Sequence, residues 1–515
     1  MAHNGGTSSR PVEQQTTDSE LIRLIRVTGM REKEIRSAKT ESGVKLQHLN
    51  TLISRHERLA ALGEKHTRQK AIQDPVHGAI IFEPWELDLI SSWEMLRLGF
   101  VKQLGPAHIV YPGATHTRFE HCLGTNFLAQ KCIRVVNYCD DISKPCFEPL
   151  SHLLDDHQQR MFRAAALLHD VGHPPTSHSI EYALEAWSGL DHLDLGEHIL
   201  MKSNLTDILN QNGIEPRTII NIFRRKTKDP ILGLLSEFLD HPLDIDKTDY
   251  LIRDAHFSGV QLGVFPAERV MLTNRVVRSA DGDYIRAFML KAIHSLESLI
   301  LSRNWMFSDL YLHHAVKLSE ALISKATYFR IREEDLSKNE CIGFFTRWTD
   351  SDLYRWLSES EIDFVKEYAA RIKYRKLFKV VISRAIVSFA EDVQEEFIRM
   401  LHDIERLIDA ETEVAGDPGK VVIDVVSPEL GEKQLGRIPL LVGGESTGLD
   451  IIPLDETNEG RPLMKILKQQ KRTIPSVRVY SDPENADAIL RKFQELFPEN
   501  EESNYFHDEY DMTEA

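Results

Sequence analysis

The sequence predicts a mainly α protein: a helical core followed by a smaller α+β C-terminal lobe. Three observations predict this. Apolar residues recur at helix spacing through most of the first two thirds of the chain. Ala164–Leu168 (AAALL) is an unbroken small and apolar run, suited to a helix buried on most sides, and it ends in His169 and Asp170. Clear β-prone runs, Val421–Val426 and Ser476–Tyr480, gather in the last third.

A chain of 515 residues is long enough for a large core with appended lobes. Its net charge of −17 argues against general electrostatic affinity for nucleic acid or anionic membrane, leaving only local basic patches. Five cysteines (Cys122, Cys132, Cys139, Cys146, Cys341) lack paired CxxC spacing and read as reduced, mostly buried thiols. There is no signal peptide and no run of about 18 apolar residues. A soluble, cytoplasmic protein with no membrane partner is therefore expected.

Taken in order, residues 1–17 are polar and read as a disordered tail. Residues 18–70 form a helical leader on the spacing of Leu21, Ile22, Leu24 and Ile25, then Leu46, Leu49, Leu52 and Ile53. The core, 71–327, opens with IQDPVHGAIIFEP, where turn residues flank short β-prone runs and predict a hairpin. Helices are expected over 86–103, 115–136, 158–173, 179–187, 196–201, 244–257 and 287–327, and through most of 204–239. The basic knot Arg224, Arg225, Lys226 and Lys228 reads as a solvated face. The lobe, 328–500, carries expected helices over 366–389, 391–409 and 485–497 around its strands, with basic runs at 371–379 and 465–472. It reads as regulatory or oligomeric. Residues 501–515 are an acidic tail.

The chemistry centres on His169 and Asp170. Burying a carboxylate beside an imidazole is costly unless something pairs with them, and a divalent cation accepts both ligand types. His121 upstream and Asp246 downstream complete a His, His-Asp, Asp set. His173 lies four residues after His169 and is expected on the same helix face. Pro174-Pro175 stops that helix, and Thr176 or Ser177 can cap the next. His173, His178 and His192 are candidate general acids or bases. Arg118, three residues before His121, can fork onto phosphate oxygens. There is no P-loop and no G-x-S-x-G elbow.

HTRFEHCLG (116–124), LLHDVGHPPTSH (167–178) and DIDKTDYLIRD (244–254) resemble, in order, the three signatures of the HD-domain deoxynucleoside triphosphate triphosphohydrolases. That family includes bacterial dGTPase-like enzymes and the vertebrate SAM-and-HD-domain enzyme. IQDPVHG, KQLG and SRNWMFSDLYLHH extend the likeness over roughly half the chain. The resemblance implies His121, His169, Asp170 and Asp246 as ligands of one divalent metal (Mg, Mn, Fe, Ni or Zn undistinguished), with room for an additional Mg on the triphosphate. It implies Arg118, Lys247 and Arg303 on the triphosphate, and His173, His178 and His192 around the reacting phosphorus. Tyr250 and Asp254 would take the 3′-hydroxyl, Tyr311 would close the sugar pocket, and Gln103 and Leu104 would lie by base and sugar. His116 would be a supporting or capping residue. The implied reaction releases a deoxynucleoside and tripolyphosphate from a dNTP, in a homo-oligomer (dimer, tetramer or hexamer) open to a nucleotide effector.

Three departures stand against the pattern. His192 is followed by Leu193 where the family has an acid, leaving Asp191, Asp194 or Glu197 to substitute only if the loop is rearranged. Phe307 stands where the vertebrate enzyme has histidine. Ser91, Leu96 and Gly99 align with the acidic, glutamine and arginine positions of that enzyme's guanine-nucleotide activator site, so GTP activation is not expected. Two alternatives stay open: another HD phosphohydrolase acting on a nucleoside monophosphate, cyclic or modified nucleotide, and a nucleotide or single-stranded nucleic-acid binding effector.

Overall fold

The computed structural model describes residues 66–137, 147–279, 282–401, 403–426, 435–442, 450–473 and 475–500. Residues 18–65 of the leader, the two tails, Cys139 and Cys146 lie outside the described residues.

The core begins with an antiparallel hairpin, β1 (Lys70–Asp74) and β2 (Gly78–Phe82), in register Asp74↔Gly78. The turn closes on Asp74, whose Oδ1 accepts from the backbone of Val76 and His77 at 2.9 and 2.7 Å. Helices α1 (Pro84–Ile90) and α2 (Trp93–Arg97) follow. The main helices are started by capping boxes: Thr117 with Glu120 opens α3 (Arg118–Val135), and Asp155 with Gln158 opens α4 (Asp156–Leu168). Beyond the turn that follows α4 come α5 (Glu181–Ser188) and α6 (His192–Lys202), and then three short helices within Asn204–Leu239. Helix α7 (Ile245–Ser258) is N-capped by Asp244 and ends at Gly259 in the left-handed region, φ 78°. Ala164, Ala165, Ala166, Leu167 and Leu168 are all 0% exposed, so α4 runs through the middle of the largest apolar cluster.

The second half starts with strands β3 (Asn274–Arg278) and β4 (Tyr284–Met289). Helix α8 (Ile293–Met306) ends in a π turn over Phe307–Tyr311, and α9 (His314–Glu333) runs across the expected boundary at 327/328. Helix α10 (Asp350–Ser358) precedes β5 (Lys379–Ala385), and α11 (Ile404–Ala415) precedes β6 (Val421–Val426). Strands β7 (Pro439–Val442), β8 (Asp450–Pro453) and β9 (Ser476–Ser481) complete two sheets, ordered β3-β4-β7-β8 and β5-β9-β6. Leu440 and Leu463 pack into one cluster with Leu251, Leu296 and Leu299, which fastens the lobe onto α7 and α8.

The mainly helical fold with an α+β lobe is as expected, but several boundaries differ. The run 86–103 is split at Ser91–Ser92, where Ser92 caps α2. Helix α4 stops at Leu168, and His169–His173 form a turn, so His173 does not share a helix face with His169. Thr176 makes no side-chain cap; both Thr176 and Ser177 have φ 58°. Within 287–327, β4, a break at Leu312–His313 and two helices replace one helix. The expected helix 366–389 ends at Lys373, and β5 follows because its residues pair with β9. These are cases of long-range pairing overriding local periodicity. The helix expected over 391–409 is likewise two, Glu391–Met400 and α11, parted by the Asp403 cap.

Arg224 and Arg225 are not free basic groups: they pair with Asp194 and Glu197, and with Glu237, respectively. Cys122, Cys132 and Cys341 are buried free thiols, and burial pushes the Cys132 and Cys341 thiols up to about 12. No helix among the described residues is long and apolar enough to cross a membrane.

Candidate metal centre and active site

Helices α3 and α7 and the turn after α4 bring His121, Asp246 and His169 together. His121 Nε2 lies 3.1 Å from His169 Nε2 and 2.9 Å from Asp246 Oδ1, which is 3.5 Å from His169 Nε2. Each imidazole is held by its other nitrogen. His169 Nδ1 donates to the Ala166 carbonyl at 3.0 Å, and His121 Nδ1 donates to Asp249 Oδ2 at 2.8 Å. In the neutral rings this leaves two Nε2 lone pairs facing each other, a repulsion that a bound proton or a shared cation relieves. The rings cross at 79°, so both lone pairs can converge on one ion. This donor set, with Nδ1 anchored behind each histidine, fits a first-row divalent metal.

Electrostatics agree. Burial opposes charge on His121, yet Asp246 and Asp249 outweigh it and push the imidazole up to about 10. His169 is raised likewise by Asp170 and Asp246 against burial. A buried pocket that draws protons this strongly is one that favours a cation. Asp170 borders it, with oxygens 3.6 Å from His121 Nε2 and 3.4 Å from His169 Nε2. Asp170 is also held by Arg118 and, at 3.2 Å, by His173. Burial would raise its carboxyl, but Arg118 and the two histidines hold it well below the usual range.

Behind His121 lies a support that sequence reasoning missed. Asp249 also accepts from His77 Nε2 at 2.6 Å and from Arg253 Nε at 2.8 Å, and Arg253 reaches Asp74 at 2.8 Å. A Cβ on Gly124 would sit 2.0 Å from Asp249 Oδ1, so only glycine lets α7 approach α3 this closely. The signal was present in TDYLIRD: Asp249 and Arg253 lie on one helix face, but nothing local names their partners.

A second cluster holds His173, His178, Glu181 and His192. Glu181, also missed, bridges the histidines: Oε2 takes His178 Nδ1 at 2.6 Å and Oε1 takes His192 Nδ1 at 2.7 Å. This resolves the departure at Leu193. The acid comes from three residues after His178, while Asp191 caps α6, Asp194 takes Arg224 and Glu197 takes Arg217. His173 and His192 stack at 4.3 Å with planes 9° apart. Parallel rings cannot both aim in-plane lone pairs at one ion, so this cluster is built as a hydrogen-bonded relay rather than a metal cage. Gly172 makes the stack possible: a Cβ there would lie 2.1 Å from the His192 carbonyl.

Burial and the Arg118 charge hold His173 well below its ordinary value, hence neutral. The His178 ring is exposed, and the Glu181 carboxylate beside its Nδ1 raises that imidazole.

The expected substrate side chains line the neighbouring space. Arg118 Nε donates to Ser177 Oγ at 2.7 Å, and Lys247 Nζ to Asp244 at 2.7 Å. Asp254 is gripped from both sides, by His116 Nε2 at 2.8 Å and by the Tyr311 hydroxyl at 2.6 Å. The Tyr250 ring is 6.3 Å from that of Tyr311 and 6.5 Å from His121, and so links the histidine–aspartate cluster to Asp254's partners. Leu104, Tyr250 and Tyr311 pack against one apolar cluster. The buried Gln103 Oε1 has no hydrogen-bond partner among the described residues. Arg303 lies over the Phe307 ring at 5.5 Å.

Comparison with known proteins agrees with this geometry. The HD domain matches residues 118–254, and the HD associated region matches 273–505. An uncharacterised protein of Methanocaldococcus jannaschii, MJ1154, is 28% identical over 81% of this chain and 80% of its own length. The deoxynucleoside triphosphate triphosphohydrolase SAMHD1 of Gallus gallus is 25% identical over 72% of this chain and 65% of its own. The uncharacterised YwfO of Bacillus subtilis is 31% identical over 51% of this chain and 56% of its own. A crystal structure of a hypothetical protein from Aquifex aeolicus superposes with a TM-score of 0.62 at 26% identity, covering 83% of this chain and all of that one. With its converging histidine pair, its acidic partners and both matched regions in order, the chain belongs to the HD-domain phosphohydrolase family.

Proposed function

We propose that this protein hydrolyses deoxynucleoside triphosphates by water attack at the α-phosphorus. The P–O5′ bond breaks, giving a deoxynucleoside and tripolyphosphate. The observation that carries the reading is the Asp254 carboxylate fixed by His116 and Tyr311, with Leu104, Tyr250 and Tyr311 packed against one apolar cluster and Tyr250 next to His121. A carboxylate so placed suits a sugar hydroxyl, and the close tyrosine disfavours a 2′-hydroxyl. The unpartnered Gln103 Oε1 is an acceptor waiting for a donor on a base.

His121, His169, Asp246 and Asp170 would hold one divalent ion, which supplies Lewis acidity at the phosphoryl group and lowers the pKa of bound water. Arg118 and Lys247 neutralise phosphate oxygens, and Arg303 is assigned to the same triphosphate. His178, kept protonated by Glu181, donates from Nε2 to the leaving 5′-oxygen. Glu181 fixes His192 by Nδ1, which leaves its Nε2 as the second proton-transfer atom. His173 stays neutral and packs the relay against Asp170. The known activity of the SAMHD1 relatives is consistent with this chemistry.

The test is to incubate the protein with each dNTP and each NTP plus Mg²⁺ or Mn²⁺ and to resolve the products. Deoxynucleoside plus tripolyphosphate is expected, with loss of both in Asp246→Ala. Orthophosphate, pyrophosphate or an opened cyclic nucleotide as product would overturn the proposal in favour of another HD phosphohydrolase.

A further inference from the structure

The catalytic turn is held from behind by two buried residues that touch neither the metal pocket nor the substrate pocket. Arg97, on the inner side of α2, is 0% exposed. Its guanidinium forks onto three backbone carbonyls: NH2 reaches Val171 and His173 at 2.9 Å each, and NH1 reaches Trp348 at 3.2 Å. Asp350, at the start of α10, is 7% exposed. Its Oδ1 accepts from the Thr176 amide at 2.7 Å and its Oδ2 from the Lys102 amide at 3.1 Å. Trp348, between them, is itself fixed by ring stacking on Phe344 at 4.8 Å and edge contact with Trp356 at 5.3 Å.

The backbone they hold needs holding. Thr176 and Ser177 both sit at φ 58°, a left-handed conformation that non-glycine residues adopt only when their surroundings impose it. Ser177 then passes the position on: its hydroxyl donates to the Lys102 carbonyl at 2.8 Å and accepts from Arg118 Nε at 2.7 Å. Lys102 directly precedes Gln103 and Leu104.

We infer that Arg97 and Asp350 are positioning residues, forming a brace through which the Trp348–Asp350 corner of the HD associated region sets the places of His173, His178 and Arg118. The inference rests on the hydrolase reading of the same site, but its structural half can be tested without turnover. Asp350 is the sharper probe, because an asparagine keeps one acceptor and turns an N–H toward the other amide donor. An Arg97→Lys ammonium cannot span three carbonyls.

The experiment measures three things on wild type, Arg97→Lys and Asp350→Asn: hydrogen exchange of the amides in 170–178, bound metal per chain, and kcat and KM on a dNTP. Exchange in 170–178 should rise at least about tenfold while the rest of the protein exchanges as wild type. Metal content should be unchanged, kcat should fall about 10–100-fold, and KM should move less than about threefold, the mark of misplaced catalytic groups. Wild-type exchange and kcat in either folded variant would overturn the brace. So would a loss of kcat that merely tracks lost metal or a uniform rise in exchange. A wild type that turns over no dNTP would defeat the proposed function, and the exchange measurement would still decide for or against the brace.

Discussion

In the proposed reaction, Glu181 is the residue on which proton transfer turns. One carboxylate holds two imidazoles by their Nδ1 atoms, which leaves both Nε2 atoms for the proton transfers of the proposed reaction. Its own carboxyl is held below the usual range: burial opposes its charge, but His178 and the hydrogen bonds to both histidines outweigh that. The sign of its effect on His178 is fixed. A carboxylate beside an imidazole favours the protonated ring, so removing the charge lowers the His178 pKa. In Glu181→Gln the alkaline limb of the pH–rate profile should therefore move to lower pH, with kcat down by about 10² or more. An unmoved limb would show that His178 is not the acid. Asp249 plays the matching part at the metal pocket. Asp249→Asn should weaken metal affinity about 10–100-fold in a metal titration, because His121 loses the partner that fixes its Nδ1 proton.

At the scale of elements, the site is made by close approaches between backbones. The turn after α4 lies against the first residues of α6, and Gly172 is what permits it. The atoms that a new Cβ would meet are backbone, so they cannot swing aside. Gly172→Ala should push α6 away, break the His173–His192 stack and lower kcat about 10²-fold, with metal content near wild type. The main elements were legible in the sequence because they are local: the β1–β2 turn, the helical spacing of α3, the apolar run of α4 to Leu168. The end of α4 was not, since the periodicity continues past Leu168 in residue type while the chain turns to bring His173 under Asp170. Strand β5 was also illegible, since its residues read as helix until β9 lies beside them.

For the whole molecule, the catalytic core and the following region are interlocked rather than strung in series. Leu440 and Leu463 pack on α7 and α8, and Trp348 and Asp350 reach the catalytic turn. Regulation has a different outlook. Ser91, Leu96 and Gly99 place no acidic, amide or guanidinium group at the positions aligned with the vertebrate activator site, and Leu96 is exposed. Adding GTP should leave dNTP turnover within about twofold, well short of the roughly 5–150-fold range typical of allosteric coupling. A large GTP-dependent gain in a steady-state assay would contradict this.

The sequence by itself determined the inventory of chemistry. His121, His169, Asp170 and Asp246, with His173, His178, His192 and Arg118, were named from residue types in short local motifs, whereas Lys247, Arg303, Tyr250 and Tyr311 came only with the resemblance to the family. The helical class followed from periodicity for the same reason. Only the tertiary structure decided which groups serve those residues. Glu181 rather than a neighbour of His192 supplies the acid, and His77, 172 residues from Asp249, completes the support behind the metal pocket. Arg97 and Asp350 brace a turn far from them in sequence. Such contacts are set by packing between distant segments, have no period and leave no local trace, so no reading along the chain could supply them.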